Sequence, residues 1–494
     1  MAINEKSPSP APAIVESEPA TRCGSNTPGL AATSSNNGEK PIAHASLEER
    51  AGALAVPPPS GTTSSRYRWL VHVQFFACCW AMVVAGWNDG STGPLLPRIQ
   101  EVYGVNYTIV SLVWVFACVG FLTGAIANMF LEPRFGFGKT IFIGACFQFV
   151  GYAIESAALP FPAFVLGYAI NGVGMALQDA QANGYVSNLP NSSTKMSFLH
   201  AAYGLGALAS PLAATQFAQL PHWSFHFLIS FGVALLDAII LAAVFRFKTH
   251  DECLAAIGQV RHLDEPSEKN DDSGSETEKS HFRKVMTLKE THLMAVFILV
   301  YVGVEVTVGG WTVTYVINER NGGPSSGYIS TGFFGGLTLG RMGLIWANNK
   351  IGERKALVIY AALAIGLELV VWLVHSLVGD AIAVSFVGFF LGPMYPIAMN
   401  VCGRIIPPSL LTGSIGWIAG LGQAGSALFP FITGAISNKA GIESLQPIVV
   451  AMMAFTIGLW ICVPRDKVRT ASPSSSSPEG AGAIPPPPRP VVNV

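Results

Sequence analysis

The sequence predicts an all-α membrane protein with twelve transmembrane helices in two six-helix, pseudo-symmetric halves. Three observations support this. The 494 residues are 50% hydrophobic and only 12% charged, whereas soluble domains carry about 25% charged residues. Apolar runs of about 20 residues, the length that a helix needs to cross a bilayer, recur along the chain. Six runs precede one long hydrophilic stretch and six follow it.

Each predicted span is an apolar run of this kind. The spans cover residues 70–97, 108–130, 139–158, 161–186, 198–220, 225–246, 292–317, 326–348, 355–376, 379–402, 411–436 and 444–464.

The hydrophilic segments divide the chain into domains. Residues 1–65 and 466–494 are rich in Ser, Pro, Ala and Gly and have too few apolar residues for a core, so we predict disordered tails. Residues 250–290, rich in charge and serine, are predicted to be a flexible cytoplasmic linker. It joins an N-terminal half, residues 66–249, to a C-terminal half, residues 291–465.

The composition argues against several classes of function. A net charge of -1 provides no basic surface for nucleic acid. The eight cysteines show no C-x-x-C or Cys/His spacing, so neither a metal site nor a disulfide framework is expected. No nucleotide-binding, metalloprotease or hydrolase motif occurs. We therefore expect that the protein binds no cofactor and is not an enzyme.

The distribution of Lys and Arg predicts the orientation. Basic residues concentrate in the flanks that share a side with the N-terminus, which places both termini in the cytoplasm. No signal peptide or retention signal is evident, so the plasma membrane is the expected location, with the vacuolar membrane as the alternative. We expect a monomer. The prolines of Pro485–Pro490 fit an SH3 or WW ligand, or a solvated tail.

The two halves repeat each other in sequence. GFLTG, Gly120–Gly124, leads to Lys139 at the spacing by which GLTLG, Gly336–Gly340, leads to Lys355. The second motif lies 216 residues after the first (120 to 336). Parallel six-helix repeats are one of the standard architectures of secondary transporters.

These features resemble the major facilitator superfamily over residues 66–465. Within it, WNDGSTGPLLPRIQEVYG on the first span, GMALQDAQANGYV on the fourth and HAAYGLGALASPL on the fifth resemble the fucose:proton symporter-like branch, especially its fungal members. The loop LEPRFGFGKT lacks the Asp and the Arg pair of the fuller superfamily motif. The resemblance implies a proton-coupled secondary active transporter that moves a small organic solute, sugar-like or another polar metabolite, by alternating access.

The fourth predicted span carries an acid in an apolar run. An ionised side chain in hydrocarbon costs about 3 kcal/mol or more, so it should face a water-filled cavity. At 100° per residue, Asn171, Asp179 and Asn183 share one helix stripe, with Gln178 at its margin. The resemblance implies that Asp179 takes up the coupling proton and that the amides contact solute. The alternative is a structural hydrogen bond to a neighbouring helix.

The first and seventh predicted spans carry acids at equivalent positions. Glu305 follows Asp89 by 216 residues, and each acid is followed four residues later by a glycine. We expect Asp89 and Glu305 to contribute to proton coupling, although Asp89 also fits a helix cap. Their neighbours supply hydroxyl, amide and aromatic groups suited to a sugar-like solute. The expected solute contacts on these spans are Asn88, Tyr301, Trp311, Thr312 and Tyr315.

Arg341 lies inside the eighth predicted span and must find a partner, for which Glu368 and a substrate anion are candidates. Two other functions stay open at this point. One is an efflux transporter for a fungal secondary metabolite. The other is a non-transporting nutrient sensor, which would need a long structured cytoplasmic extension; neither tail has that composition.

Overall fold

The computed structural model describes residues 61–259 and 283–464. The predicted tails, the central part of the predicted linker and the proline segment Pro485–Pro490 lie outside the described residues. Within the two described ranges the chain is helical and contains no strand.

The first half contains six long helices, called span 1 to span 6. They are Gly61–Tyr103, Leu112–Phe135, Phe137–Ser156, Phe161–Ser187, Ser192–Ala218 and His226–Phe245, with one helical turn, Tyr107–Val110, ahead of span 2.

The second half repeats this arrangement as span 7 to span 12. They are Lys289–Glu319, Tyr328–Gly343 continued by Ile345–Ile351, Glu353–Leu373, Leu377–Leu391 continued by Met394–Ile405, Pro408–Ala440 and Leu445–Cys462.

The predicted number of helices is therefore confirmed for the described residues. Ten of the twelve are long and apolar enough by composition to cross a membrane. The other two are span 5 and span 8.

The helix boundaries differ from the apolar runs for physical reasons. Span 1 extends beyond its apolar residues at both ends and continues through Pro94 and Pro97, because a polar flank can extend a helix once the apolar part has formed it. Span 10 is interrupted between Leu391 and Met394, where Pro393 has no N–H to donate. Span 8 is interrupted at Leu344, directly after Gly343, where the sequence predicted one continuous span.

The start of the predicted flexible linker is an ordered helix, which corrects that prediction for its first residues. Helix His250–Ala255 begins with a capping box in which Thr249 and Glu252 bond each other's backbone N–H groups. The hydrogen bonds from Thr249 lower the pKa of the Glu252 carboxyl. The ring of His250 packs against Phe137 and Tyr185 of the first half.

The two halves touch at the end of the bundle where span 1 finishes, here called the closed end. Gly93 of span 1 lies directly against the backbone of Gly309 of span 7, where an added Cβ would clash with a carbonyl oxygen. One residue further along span 7, Gly310 lies against the ring of Trp114 of span 2. Glycine is required at these points because two helix backbones, or a backbone and an indole ring, approach closely.

Spans 5 and 8 make the second contact between the halves. Gly327, directly before span 8, lies against Thr215, and Thr338 of span 8 lies against Gly204. The side-chain amide of Gln216 donates to the hydroxyl of Tyr328 at the same end. This contact extends from the closed end to about the middle of span 5.

At the opposite end, here called the open end, the halves separate. Between spans 2 and 11 the Sγ atom of Cys118 donates to the carbonyl of Gln423, 3.3 Å away. Two helical turns towards the open end, on the same face of span 11, Gly416 has no atom within 4 Å of the position that a Cβ would occupy. The facing stripe of span 2 is exposed, with Leu122 at 39%, Ile126 at 60% and Met129 at 71%. A cavity between the halves thus opens at this end.

The closed end should be sensitive to one methyl group. We expect Gly93→Ala to open it, because the new Cβ would overlap the Gly309 carbonyl only while the halves are in contact. The reporter is a cysteine at Ser111, which is fully buried at the closed end and lies against Gly434 of span 11. Maleimide labelling of Ser111→Cys should be several times faster with Gly93→Ala.

Gly366→Ala is the matched control, because Gly366 also lies in a helix but has open space around it. Equal labelling rates in the Gly93 and Gly366 variants would contradict the assigned role of the Gly93–Gly309 contact.

Candidate functional site

The acids of spans 1 and 7 lie at the innermost point of the cavity, here called the apex. Asp89 and Glu305 each precede a glycine of the Gly93–Gly309 contact by four residues, about 6 Å along the helix. Asp89 is exposed although it lies near the middle of the transmembrane part of its helix, and Glu305 is partly exposed. The cavity therefore reaches from the open end to these two carboxylates.

Asp89 is held by neutral partners from its own half. The hydroxyl of Tyr203 on span 5 donates to Asp89 Oδ2 at 2.6 Å. The Nδ2 group of Asn88 donates to Asp89 Oδ1 at 3.1 Å. Among the described residues, the carboxylate thus has two neutral hydrogen-bond donors and no cationic partner from its own half. Asp89 lies within a continuous helix, which overturns the alternative of a cap.

Glu305 is paired with a cation from the same half. Arg341 Nη2 lies 3.4 Å from Glu305 Oε1, with 22% of the Arg341 side chain and 14% of the Glu305 side chain exposed. Arg341 Nε is buried and has no hydrogen-bond partner among the described residues. Glu368, one of the two candidates for this pairing, is instead buried on span 9 at 1% exposure.

Asp179 of span 4 lies on the same cavity, further from the closed end. Asn183 Nδ2 donates to Asp179 Oδ1 and to its carbonyl oxygen, both at 2.9 Å. Both side chains are partly exposed. Tyr395 of span 10, across the cavity, lies within electrostatic reach of Asp179, Glu305 and Arg341. The acids of spans 4 and 7 therefore surround one space.

Gln178 does not face this cavity, which corrects the expectation that it contacts solute. Its side chain is 2% exposed. Gln178 Nε2 donates to Asp237 Oδ2 on span 6, and Gln148 Nε2 on span 3 donates to Gln178 Oε1 at 2.9 Å. Because one residue turns a helix by 100°, Gln178 enters the interior of the first half while Asp179 faces the cavity.

Asn171 is likewise buried, at 1% exposure, and the structure does not support a solute contact there. Its Nδ2 donates to Asn88 Oδ1 at 2.7 Å, and the hydroxyl of Tyr152 lies 3.4 Å from the same oxygen. Asn88, which is partly exposed, therefore links Asp89 to this buried cluster.

The expected solute contacts of span 7 lie away from the open cavity. Trp311 donates to the carbonyl of Pro430 at 3.0 Å and packs on Tyr107 and Trp114. Thr312 donates to the carbonyl one turn earlier in its own helix, and Tyr315 lies under the guanidinium of Arg320. Trp311, Thr312 and Tyr315 are buried in the closed end. The expectation that they contact solute is therefore wrong for this conformation.

Tyr301 is buried beside the Glu305–Arg341 pair. Its hydroxyl donates to the carbonyl of Leu391 at 3.0 Å, and the ring lies 6.4 Å from that of Tyr395. Tyr301 thus supports the wall of the cavity at the apex without being exposed to it.

Sequence reasoning missed Tyr203 and Tyr395, and it named Arg341 without identifying its partner. It did not connect Tyr203 to Asp89, Arg341 to Glu305, or Tyr395 to Asp179. An arginine inside a span signals a required partner, but the spacing along one helix does not identify the helix that supplies it.

The sequence profile of the Major Facilitator Superfamily matches residues 78–379, more than half of the chain. The chain belongs to the Major Facilitator Superfamily. As a member of it, this protein is a multi-pass membrane transporter of small solutes and not an enzyme.

Two known proteins and a solved structure are similar to this chain over most of its length. The chain is 26% identical over 414 residues to Bypass of stop codon protein 6 of Saccharomyces cerevisiae, covering 80% of this chain and 83% of the relative. It is 23% identical over 383 residues to the glucose/mannose transporter GlcP of Bacillus subtilis, covering 76% and 91%. The fold resembles the E. coli fucose:proton symporter FucP with a TM-score of 0.57 and 17% identity, covering 80% and 98%.

The buried Gln178–Asp237 pair should stabilise the first six-helix half of this protein. We expect Gln178→Leu to lower the free energy of unfolding by about 3 kcal/mol, because it leaves the Asp237 carboxyl buried without its donor. Thermal unfolding in detergent, followed at the aromatic residues, gives the measurement.

Replacing both partners with leucine should recover much of this loss, since no polar group then remains unpaired. If the single variant Gln178→Leu had unchanged stability but bound solute more weakly, Gln178 would instead be a solute-binding residue.

Proposed function

We propose that this protein is a proton-coupled symporter of a hexose-like, polyhydroxylated solute. The observation that carries the proposal is the set of carboxylates on the cavity between the halves, Asp89, Asp179 and Glu305. For these three acids, the described partners supply a single cation, Arg341. Such a wall suits protons together with a neutral, hydroxyl-rich solute.

The chemistry of the wall favours a sugar over an apolar metabolite. The groups at the apex and on span 4 are carboxylates, an amide, a guanidinium and phenol hydroxyls. Trp87 and Trp311, two of the aromatic residues that an apolar solute would use, donate to Ser230 and to the Pro430 carbonyl inside the protein. The name of the relative GlcP, a glucose/mannose transporter, supports the same solute class. The hypothesis of an efflux transporter for a secondary metabolite is therefore the weaker alternative.

The proposal assigns proton coupling to Asp179 and Asp89. Both lie on the cavity and are hydrogen-bonded by neutral groups. Glu305 was also expected to couple protons, but its charge already has a partner in Arg341, so we assign it to the solute-binding wall. Asn183 and Tyr395 complete the wall near Asp179.

The proposed orientation follows the positive-inside rule and places both termini in the cytoplasm. The open end, where span 1 begins, is then cytoplasmic, and this conformation is the one that faces the cell interior. The plasma membrane is the proposed location.

Direct uptake measurements test the solute class. Protein in proteoliposomes should accumulate one of the radiolabelled sugars D-glucose, D-mannose, D-galactose, L-fucose or D-xylose when the exterior is acidic. Accumulation should stop when a protonophore removes the gradient. Uptake of none of these sugars, with binding of an apolar metabolite instead, would replace the proposal with the efflux alternative.

Asp179→Asn tests the coupling residue. We expect it to abolish accumulation against a gradient while solute exchange across the membrane persists, because a permanently neutral group imitates the protonated carrier. Sugar accumulation and sugar exchange are measured on the same vesicles. Asp251→Asn is the matched control, since Asp251 is exposed outside the spans. Proton-driven accumulation by the Asp179 variant would remove Asp179 from the coupling mechanism.

A further inference from the structure

At the apex the two halves carry equivalent acids, but the residues that partner these acids are not repeated. Asp89 and Glu305 are equivalent positions, but their partners are not. The position equivalent to Arg341 in the first half is Ala125 (341 − 216), and the position equivalent to Tyr203 in the second half is Ala419 (203 + 216). Among the described residues, Glu305 has a cationic partner, Arg341 of the second half, and Asp89 has only neutral hydrogen-bond partners.

This arrangement creates a constraint on the empty carrier. A symporter that has released its proton and solute must return with its acids ionised. During that return the cavity closes and water leaves it, and an ionised carboxylate without a counter-ion opposes this step. Asp89 has no cationic partner among the described residues of its own half, so we look for its compensation across the apex.

Arg341 is placed to supply that compensation. Its Nη2 lies 3.4 Å from Glu305, its side chain also interacts with Tyr301, and its buried Nε has no hydrogen-bond partner among the described residues. It lies one turn from Thr338, which touches Gly204 across the two halves. Tyr203, the hydrogen-bond partner of Asp89, lies within electrostatic reach of both Arg341 and Glu305.

We propose that Arg341 is a counter-ion shared across the apex, which bridges Glu305 and Asp89 when the cavity closes around the empty, deprotonated carrier. A guanidinium has five donors on two edges, so it can keep Glu305 on one edge and take Asp89 on the other. Protonation of Asp89 removes the need for the bridge. The inference rests on the proposed proton coupling and adds the step that returns the empty carrier.

Other titratable or charged groups face this position and belong to the same electrostatic environment. They are Asp179 of span 4, His200 and Tyr203 of span 5, Tyr301 of span 7 and Tyr395 of span 10.

The test uses conformational labelling and needs no solute. A cysteine at Gly416 reports the open end, because no atom from another helix lies within 4 Å of the position that its Cβ would occupy in this conformation. The rate of its maleimide labelling is read by peptide mass spectrometry on full-length protein in nanodiscs, at acidic and at alkaline pH. The key variant combines Arg341→Gln with Glu305→Gln, which keeps a hydrogen-bonding pair but removes both charges.

At alkaline pH this double variant should label severalfold faster than the unmodified parent, because ionised Asp89 then has no counter-ion and the open end cannot close. At acidic pH the two proteins should label equally, which also shows that the variant is folded. Adding Asp89→Asn should restore the parent rate at alkaline pH.

Three results would overturn the proposal. The double variant could label at the same rate as its parent at alkaline pH, which is the result expected if Arg341 pairs only with Glu305. It could label faster at both pH values alike. Its fast labelling could also be relieved by Asp179→Asn and not by Asp89→Asn. Since no sugar is present, failure of the hexose assignment in the uptake experiment leaves this result unaffected.

Discussion

The cost of an ionised side chain in hydrocarbon organises this protein. Acids occur in the middle of spans 1, 4 and 7, and the structure directs Asp89, Asp179 and Glu305 towards the space between the two halves. That space must then hold water in at least one conformation, and its walls must be able to separate and meet. The glycines at Gly93 and Gly309 allow the walls to meet one helical turn from the carboxylates. The charges and the small residues therefore form one functional unit.

The repeat and its exceptions have separate roles. The repeated glycines of spans 1 and 7 allow the two helix backbones to approach closely, one helical turn from the repeated acids. The residues that are not repeated, Tyr203 and Arg341, give the two acids different partners. This difference gives the first-half acid only neutral partners among the described residues and places the positive charge in the second half.

Polar groups in the first half belong to two environments with different energetics. Gln178 and Asp237 are sealed in the helix interior, where a satisfied hydrogen bond stabilises one packing arrangement. Asp179 and Asn183, on the adjacent face of the same span, border a cavity whose shape changes during transport. A helix can combine a fixed core and a changing wall because consecutive side chains point about 100° apart.

The sequence by itself determined the fold class, the twelve helices and the equivalence of Asp89 with Glu305, because span length and an internal repeat are properties of one chain read in order. It also placed Asp179 and Asn183 on one stripe. Only the tertiary structure decided that Gln178 and Asn171 turn inwards, that Trp311 seals the closed end, and that Arg341 pairs with Glu305. Helical periodicity relates side chains within a span, whereas a partner on another span depends on how the helices pack and on which end of the cavity is closed.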